Sequence, residues 1–535
     1  MSSRASTSHR ELAGSLARFR NGGFSVDANV AVRATVQVGH CSITVGADAV
    51  AERLRDDLSE SVPLTVAGCG GACFDAPIVT LFYASGGSQR FSRVELRDVA
   101  RIVDASEAGF ESGTAWTDDF FESQHRLALA GAGAIDPVSI DAYVSAGGYS
   151  GLARTLGMTP DEVTQQVMAS GLRGRGGAYF PAAAKWDAAR KAAGVRRHLI
   201  VNAEEGEPGV FKDRHLMEGV PHRLLEGAII AAYASSASEA TIYVNAGAHL
   251  SADRMRCAVD QAHEHGLIGD SVLGTDFSLS VDIVRGAGGY VCGEETALLN
   301  TMEGHRREPR LRPPFPTEAG LWGRPTVVNN VETLASVPFI LSEGPEAFAA
   351  IGTEEGAGTK IVSLSGVVKR PGVAEVPFGA TLRQVVFDIG AGPVAGCKIA
   401  FAGVGGPSSG LLPESMFDLP IKPGMLHESG VMLGAGGVVA FDERADPLEV
   451  VAELAAYNAR ESCGKCTPCR EGAPRMAELL DEIIVGRGTK VHLEELETLA
   501  NVVNAASLCG LGQAAGNPIL SALHFFGDEF AAMIS

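Results

Sequence analysis

The sequence predicts a multidomain α/β protein, on three observations. Its 535 residues exceed what one hydrophobic core organises. Strand-like and helix-like apolar patterns alternate through the middle of the chain, and from about residue 446 only helical periodicity remains.

Residues 1–130 read as a small α/β unit. VRATVQVGH and VPLTVAG are rich in β-branched residues, whereas VAERLRDDL and RVELRDVARIV space their apolar positions as helices do. ALAGAGAID, around 128–136, reads as a linker because alanine and glycine dominate it. Over 137–350 the runs RHLIVNAEE, GAIIAAYAS and ATIYVNAG alternate strand and helix, which argues for a mostly parallel sheet covered by helices. Residues 355–440 hold KIVSLSGVV and GVAEVPFGATLRQVVFD among many Gly and Pro turns, as a compact strand-rich domain with one helix would. The section 445–535 opens with Asp446 as an N-cap, Pro447 at N1 and Glu449 at N3, and continues through LEVVAELAAYNA, RMAELLDEII and LEELETLANVVNAA.

A formal charge of −20 repels phosphate backbones and anionic lipid, so nucleic acid and membrane surfaces are not expected partners. MSSRASTSHRELAGSLARFR has no apolar secretion core, and no apolar run reaches the ~20 residues of a spanning helix. A soluble, cytoplasmic protein is expected. Its ten cysteines then read as metal ligands or small buried hydrophobes rather than a disulfide framework. Cys257, Cys292 and Cys397 fall in the second class.

Cys463, Cys466 and Cys469 form C-x2-C-x2-C on a loop at a helix end, and Cys509 follows from a later helix. Iron–sulfur clusters take soft thiolates converging from several directions, and three close ligands suit three corners of a [4Fe–4S] cube. Zinc is the alternative, although it more often uses two C-x2-C pairs or histidines. The loop Gly171–Ala178, with Gly174, Arg175, Gly176 and Gly177, exposes backbone N–H groups that can cradle phosphate, with Lys185 a few residues on. A structural turn explains such a loop equally. Asn202, Glu204, Glu205 and Glu207 follow the strand HLIV, where α/β folds bind ligands. Glu294 and Glu295 follow a second glycine run containing Tyr290, and they read as ligands or helix caps. Asn329-Asn330 is a further polar pair. Each alone is as well read as a solvated loop; together they call for a cofactor with a phosphate and many hydroxyls.

At GLRGRGGA, VNAEEGEPGVFKDR, GAGGYVCGEETALLNTMEG, PRLRPPFPTEAGLWGRPTVVNNVETLA and ESCGKCTPCREG the chain resembles the flavoprotein subunit of the complex I NADH dehydrogenase module. That family includes hydrogenase diaphorases and the β subunit of NAD-dependent molybdenum formate dehydrogenases. The resemblance covers about residues 160–535. It implies FMN in the Gly174–Gly177 loop, with Lys185, Asn202, Glu204, Glu205, Glu294, Glu295, Asn329 and Asn330 around it. It also implies NAD(H) near Phe180, Tyr290 and Phe315, with Glu207 and Arg312 close by, and [4Fe–4S] on Cys463, Cys466, Cys469 and Cys509. No protein acid or base need take part in hydride transfer; the carboxylates would accept hydrogen bonds from ribityl and ribose hydroxyls.

The implied folds are a thioredoxin-like ferredoxin-type domain (1–130), a Rossmann-like FMN/NADH domain (137–350), a ubiquitin-like β-grasp domain (355–440) and a C-terminal helical [4Fe–4S] bundle (445–535). Three departures stand out. Tyr179 replaces a glycine and is expected to crowd or reshape the nucleotide pocket, Glu204 and Arg312 replace Asp and Lys, and Ala188 replaces an aromatic, weakening adenine stacking. The thioredoxin-like relatives bind [2Fe–2S] through C-x4-C and C-x3-C. Cys69 and Cys73 fit the second pair, but only Cys41 of the first is present, with Gly46 in the other place. A docking module without [2Fe–2S] is therefore expected, with Cys41, Cys69 and Cys73 as the candidate ligands if a second cluster is held.

A fused N-terminal domain without a C-terminal ferredoxin extension is most similar to the formate dehydrogenase β subunit. Its implied partners are a molybdenum- and iron–sulfur-containing subunit and a small [2Fe–2S] subunit. A complex I subunit, a hydrogenase diaphorase and a cofactor-less scaffold are the alternatives; the intact thiols and loops argue against the last.

Overall fold

The computed structural model describes residues 31–84, 87–108, 119–194 and 196–534. The stretch read for a secretion signal, and the start of the 1–130 unit, lie outside the described residues.

In the N-terminal region β1 (Ala31–Gln37), β2 (Leu64–Ala67), β3 (Val79–Tyr83) and β4 (Ser88–Phe91) form one sheet in the order β2-β1-β3-β4. β1 and β2 are parallel and the other pairs antiparallel. The crossover helix α1 (Ala47–Asp57) buries Val50, Ala51 and Leu54 in the same core as Val36 and Leu81, and α2 (Val99–Ala108) adds Val99 and Ile102.

The expected linker around 128–136 is instead a set of turns that begins in the core. Leu127, Ala128 and Leu129 belong to the central core, and the Glu375 carboxylate accepts their three backbone N–H groups at 2.9–3.0 Å. The small residues there serve close packing. A Cβ on Gly133 would approach the Cα of Gly70 to 2.9 Å.

The central region contains α3 (Ala182–Lys191), β5 (His198–Ala203), α4 (Lys212–Gly219), α5 (Pro221–Ser235), β6 (Glu239–Val244), α6 (His249–Glu264), β7 (Ser280–Arg285), α7 (Glu295–Met302), β8 (Thr326–Asn330) and α8 (Val331–Glu343). The sheet order is β7-β6-β5-β8, all parallel, as the alternating pattern predicted. HLIV of β5 is buried throughout because helices cover both faces of such a sheet. The chain adds β6 and β7 on one side of β5 and then β8 on the other. The strand order therefore reverses between β5 and β8.

The strand-rich region pairs β9 (Thr359–Gly366), β10 (Gly372–Pro377), β11 (Ile399–Val404), β12 (Gly410–Pro413) and β13 (Gly437–Asp442) in the order β10-β9-β13-β11-β12. β9 and β13 are parallel, and the main helical stretch is Gln384–Ile389. The last region packs α9 (Pro447–Glu461), α10 (Thr467–Glu482), α11 (Lys490–Ala506) and α12 (Asn517–Phe525) around Leu448, Met476, Leu496 and Ile519. Asp446 caps α9 as predicted, accepting the Leu448 N–H at 2.8 Å. Among the described residues no helix is long and apolar enough to cross a membrane. Of the three cysteines read as buried hydrophobes only Cys292 is buried; Cys257 and Cys397 are half-exposed, the latter in contact with Arg444 at 3.1 Å.

Candidate cofactor pocket and cysteine centres

The predicted residues gather at the carboxyl ends of β5 and β8, beside the reversal of strand order where open α/β sheets form a crevice. Asn202 and Asn330 lie opposite each other in register. The glycine loop folds over this end. Arg173 bridges Pro181, the Gly174 N–H donates to the Phe180 carbonyl at 2.8 Å, and a Cβ on Gly176 would sit 3.0 Å from that of Asn330. Gly177, at φ +117°, makes the turn in a backbone region that L side chains avoid. Phe180 and Phe315 each leave half their surface open.

Two predicted binding residues serve the scaffold instead. Arg175 was expected to offer charge to a phosphate, yet its guanidinium is buried over the Phe378 ring. It donates to the carbonyls of Thr359, Arg173 and Ala357 at 2.6–2.9 Å. It clamps the glycine loop to the strand-rich region. Glu205 caps α4, accepting the N–H groups of Asp213 at 2.7 Å and Arg214 at 3.1 Å. Tyr179 likewise does not crowd the pocket. Its ring is housed in the strand-rich core beside Phe378, and its hydroxyl donates to the Gly434 carbonyl at 2.9 Å.

The remaining acids divide by environment. Glu294 caps α7 through Thr296 and Ala297 and pairs with Arg312; Glu295 meets Arg312 at 3.0 Å and Lys185 at 2.6 Å. Both acids are therefore caps or ion-pair members already, with side chains still partly open. Asn329 accepts from the Trp186 indole at 2.7 Å. Glu204 and Glu207 are different. Burial pushes each carboxyl up to about 7, and each has one buried oxygen, Oε2, without a hydrogen-bond partner among the described residues. Such an atom is costly unless something donates to it, and a polyhydroxylated ligand supplies donors of that kind. Tyr290 borders Glu207, and its hydroxyl donates to Ser408 at 3.1 Å.

Beneath the pocket lies a charged group that sequence reasoning missed. Lys212 meets Asp213 at 2.7 Å and Glu332 at 2.8 Å, Lys360 meets Glu332 at 2.5 Å, and Asn330 donates to Asp213 at 2.7 Å. Burial lowers the ammonium of Lys360 to about 7. Asn245 donates to Glu204 at 2.5 Å. A Lys-Asp pair opening a buried helix straight after the acidic loop was the available signal for the first two.

The four C-terminal cysteines converge. Cys463, Cys466, Cys469 and Cys509 share one small apolar cluster with Tyr290, Val291, Ala297 and Leu511. Cys469 and Cys509 are buried, and burial pushes the Cys509 thiol up to about 11, a cost that bound metal removes by holding the thiolate. Among the described residues no three of these four sulfurs lie within 4.8 Å of one another. A single tetrahedral zinc would bring four thiolates to about 3.8 Å from each other, given Zn–S of about 2.3 Å. Four soft thiolates converging in an apolar setting suit a cubane. The pocket and this centre are joined through the segment Tyr290–Gly293. Tyr290 N–H donates to Glu461 of α9 at 2.8 Å, and Tyr457 of α9 donates to the Gly206 carbonyl at 2.9 Å.

Residues 167–339 match the Nuo51 FMN-binding domain, and residues 449–533 match the NADH-ubiquinone oxidoreductase-F iron–sulfur binding region. The chain is 43% identical to NADP-reducing hydrogenase subunit HndC of Solidesulfovibrio fructosivorans, over 77% of this chain and 84% of that protein. It is 43% identical to an F-type subunit of NADH-quinone oxidoreductase from Rhizobium meliloti (strain 1021), over 74% and 94% of the two chains. The corresponding NADH-quinone oxidoreductase chain of Escherichia coli (strain K12) is 41% identical over 74% and 90%. A chain of the NAD+-reducing [NiFe]-hydrogenase crystal structure in the air-oxidized state is similar at a TM-score of 0.68 and 30% identity, over 98% of this chain and 88% of that one.

Proposed function

We infer the function from one premise: the chain belongs to the family of the F-type NADH-quinone oxidoreductase subunits and their hydrogenase relatives. It is an NAD(H)-dependent oxidoreductase subunit with FMN and [4Fe–4S] as cofactors. Bound FMN takes the two electrons of a hydride together and yields them singly, which nicotinamide and cluster cannot do.

We assign the chain's own residues as follows. Gly174, Gly176 and Gly177, with Lys185, Asn202, Glu204, Glu294, Glu295, Asn329 and Asn330, hold the flavin nucleotide. Phe180, Tyr290, Phe315, Glu207 and Arg312 receive the pyridine nucleotide, and Cys463, Cys466, Cys469 and Cys509 ligate the cubane. The observation that carries this assignment is the pair of buried oxygens on Glu204 and Glu207, beside Gly286 and Gly406, that have no hydrogen-bond partner among the described residues. Arg175 and Glu205 position the loop and α4. The four regions correspond, in this reading, to thioredoxin-like, Rossmann-like, β-grasp and helical-bundle domains.

The parent complex, in this reading, is a cytoplasmic NAD-dependent formate dehydrogenase, with this chain as β subunit beside a molybdenum and iron–sulfur subunit. The N-terminal unit fused to the flavin region supports it. A hydrogenase diaphorase is the second reading, favoured by the fold match over 98% of the chain. Isolation of the native complex decides between them. Co-purifying molybdenum with formate-dependent NAD+ reduction is expected, and nickel with hydrogen-dependent reduction would transfer the assignment. Anaerobic protein that releases no FMN would remove the assignment altogether.

A further inference from the structure

Cys69 and Cys73 of the N-terminal unit lie against α4 of the central region, where they meet a residue absent from their own domain. The Nε2 of His215 is 3.7 Å from the Sγ of Cys73, and the ligand atoms of Cys69, Cys73 and His215 all fall within 4.8 Å of one another. Cys41, in the short helix His40–Ile43, adjoins Cys73 but stands outside that 4.8 Å group. Cys69 and His215 are buried.

We propose that Cys41, Cys69, Cys73 and His215 bind a single tetrahedral zinc ion that fastens the N-terminal unit to the flavin region, where relatives of this domain hold a binuclear iron–sulfur cluster.

Three features support one ion rather than two irons. The first is spacing. With Zn–S of about 2.3 Å and Zn–N of about 2.0 Å, tetrahedral ligand atoms stand roughly 3.6–3.8 Å apart, and Cys73 and His215 already meet that distance. A binuclear cluster splits its ligands into two pairs separated by the metal–metal axis, and three atoms so close together do not divide that way. The second is the imidazole. His215 Nδ1 is 2.8 Å from the Phe211 carbonyl, to which it donates. That bond occupies Nδ1, so Nε2 is the nitrogen that faces the thiols, the orientation in which histidines ligate metals. The third is the missing thiol. Gly46 stands in its place, at φ +91° with nothing among the described residues within 4 Å of an added Cβ, and precedes α1 as its N-cap.

The surroundings hold the ligands still. The Gly71 N–H points at Cys69 Sγ from 3.4 Å. Glu218, in the last turn of α4, accepts the His40 N–H at 2.7 Å, and Arg254 donates to the Val38 carbonyl at 2.8 Å. A Cβ on Gly68 would come within 2.4 Å of the Gly219 Cα. The two regions therefore meet at backbone contact around the thiols.

The test is metal analysis and zinc-edge X-ray absorption on the anaerobically purified full-length chain. One zinc per chain is expected beside the four irons of the C-terminal cluster, with three sulfurs at about 2.3 Å and one nitrogen at about 2.0 Å. Cys69→Ser and His215→Ala should each lose the zinc and keep FMN and iron. A wild-type chain without zinc overturns the proposal. So does zinc retained in both variants, or two further irons with a [2Fe–2S] resonance on reduction. Should either variant fail to fold, the absorption spectrum of the wild type decides alone.

Discussion

The two cysteine-rich ends of this molecule use the same side chain to opposite effect. At the C-terminal end four thiols arise from one loop and one following turn and share an apolar cluster. At the N-terminal end the thiols are compact, and an imidazole from another domain completes them. The two ends differ in the side chains they bring together: four thiols at one, and thiols with an imidazole from another region at the other.

Cys469→Ser strikes the larger effect. Iron should fall from four per chain toward zero, and NADH oxidation by one-electron acceptors should fall with it, whereas Cys69→Ser should leave iron unchanged. Iron assay and low-temperature EPR read both; a Cys69→Ser chain that also loses its cubane would break the contrast.

The pocket between the two ends supplies the next prediction. The Glu207 carboxyl titrates near 7 when folded and near 4.5 when unfolded, because burial disfavours its charge. The folded state therefore binds more protons between these values, and stability falls as pH rises through that window. Glu207→Gln removes this carboxyl's share of the slope and leaves that of Glu204. In FMN-free protein it should match the wild type below about pH 4.5 and exceed it by about 3 kcal/mol above pH 7, as followed by unfolding midpoints at several pH values. An unchanged slope would remove Glu207 as its source.

Asp446→Ala deletes the cap of the helix that carries the cubane loop and should cost about 1 kcal/mol, with iron retained. Loss of iron in that variant would show that the loop depends on the helix start more than on its own thiols. Smallest is Cys397→Ser. This thiol is half-exposed and meets Arg444 and Asp442, so stability should move by no more than about 0.5 kcal/mol and metal content not at all.

The same contrast explains what could be read from the sequence. C-x2-C-x2-C is local, so its chemistry is visible in seven letters. The parallel sheet was legible because HLIV-type runs report burial on both faces. His215 was not legible: 142 residues separate it from Cys73, and only the docking of α4 brings them together. Arg175 failed for the same reason. A Gly-Arg loop looks like a phosphate cradle until Thr359 and Ala357, from a region far ahead in the chain, claim its guanidinium. The stretch around 128–136 looked like a linker because alanine and glycine mark both reach and close packing, and Glu375 decides between them. Tyr179 looked obstructive because sequence fixes its size but not the core that houses it.

The helix α4 belongs to two places at once, with Lys212 and Asp213 under the pocket and His215 against the thiols. During synthesis the ribosome releases Cys41, Cys69 and Cys73 long before residue 215 emerges. The first domain made thus waits, half-dressed, for the second to fold. A chain stopped just short of α4 would hold the three thiols of its first region without the imidazole that faces them in the full-length protein.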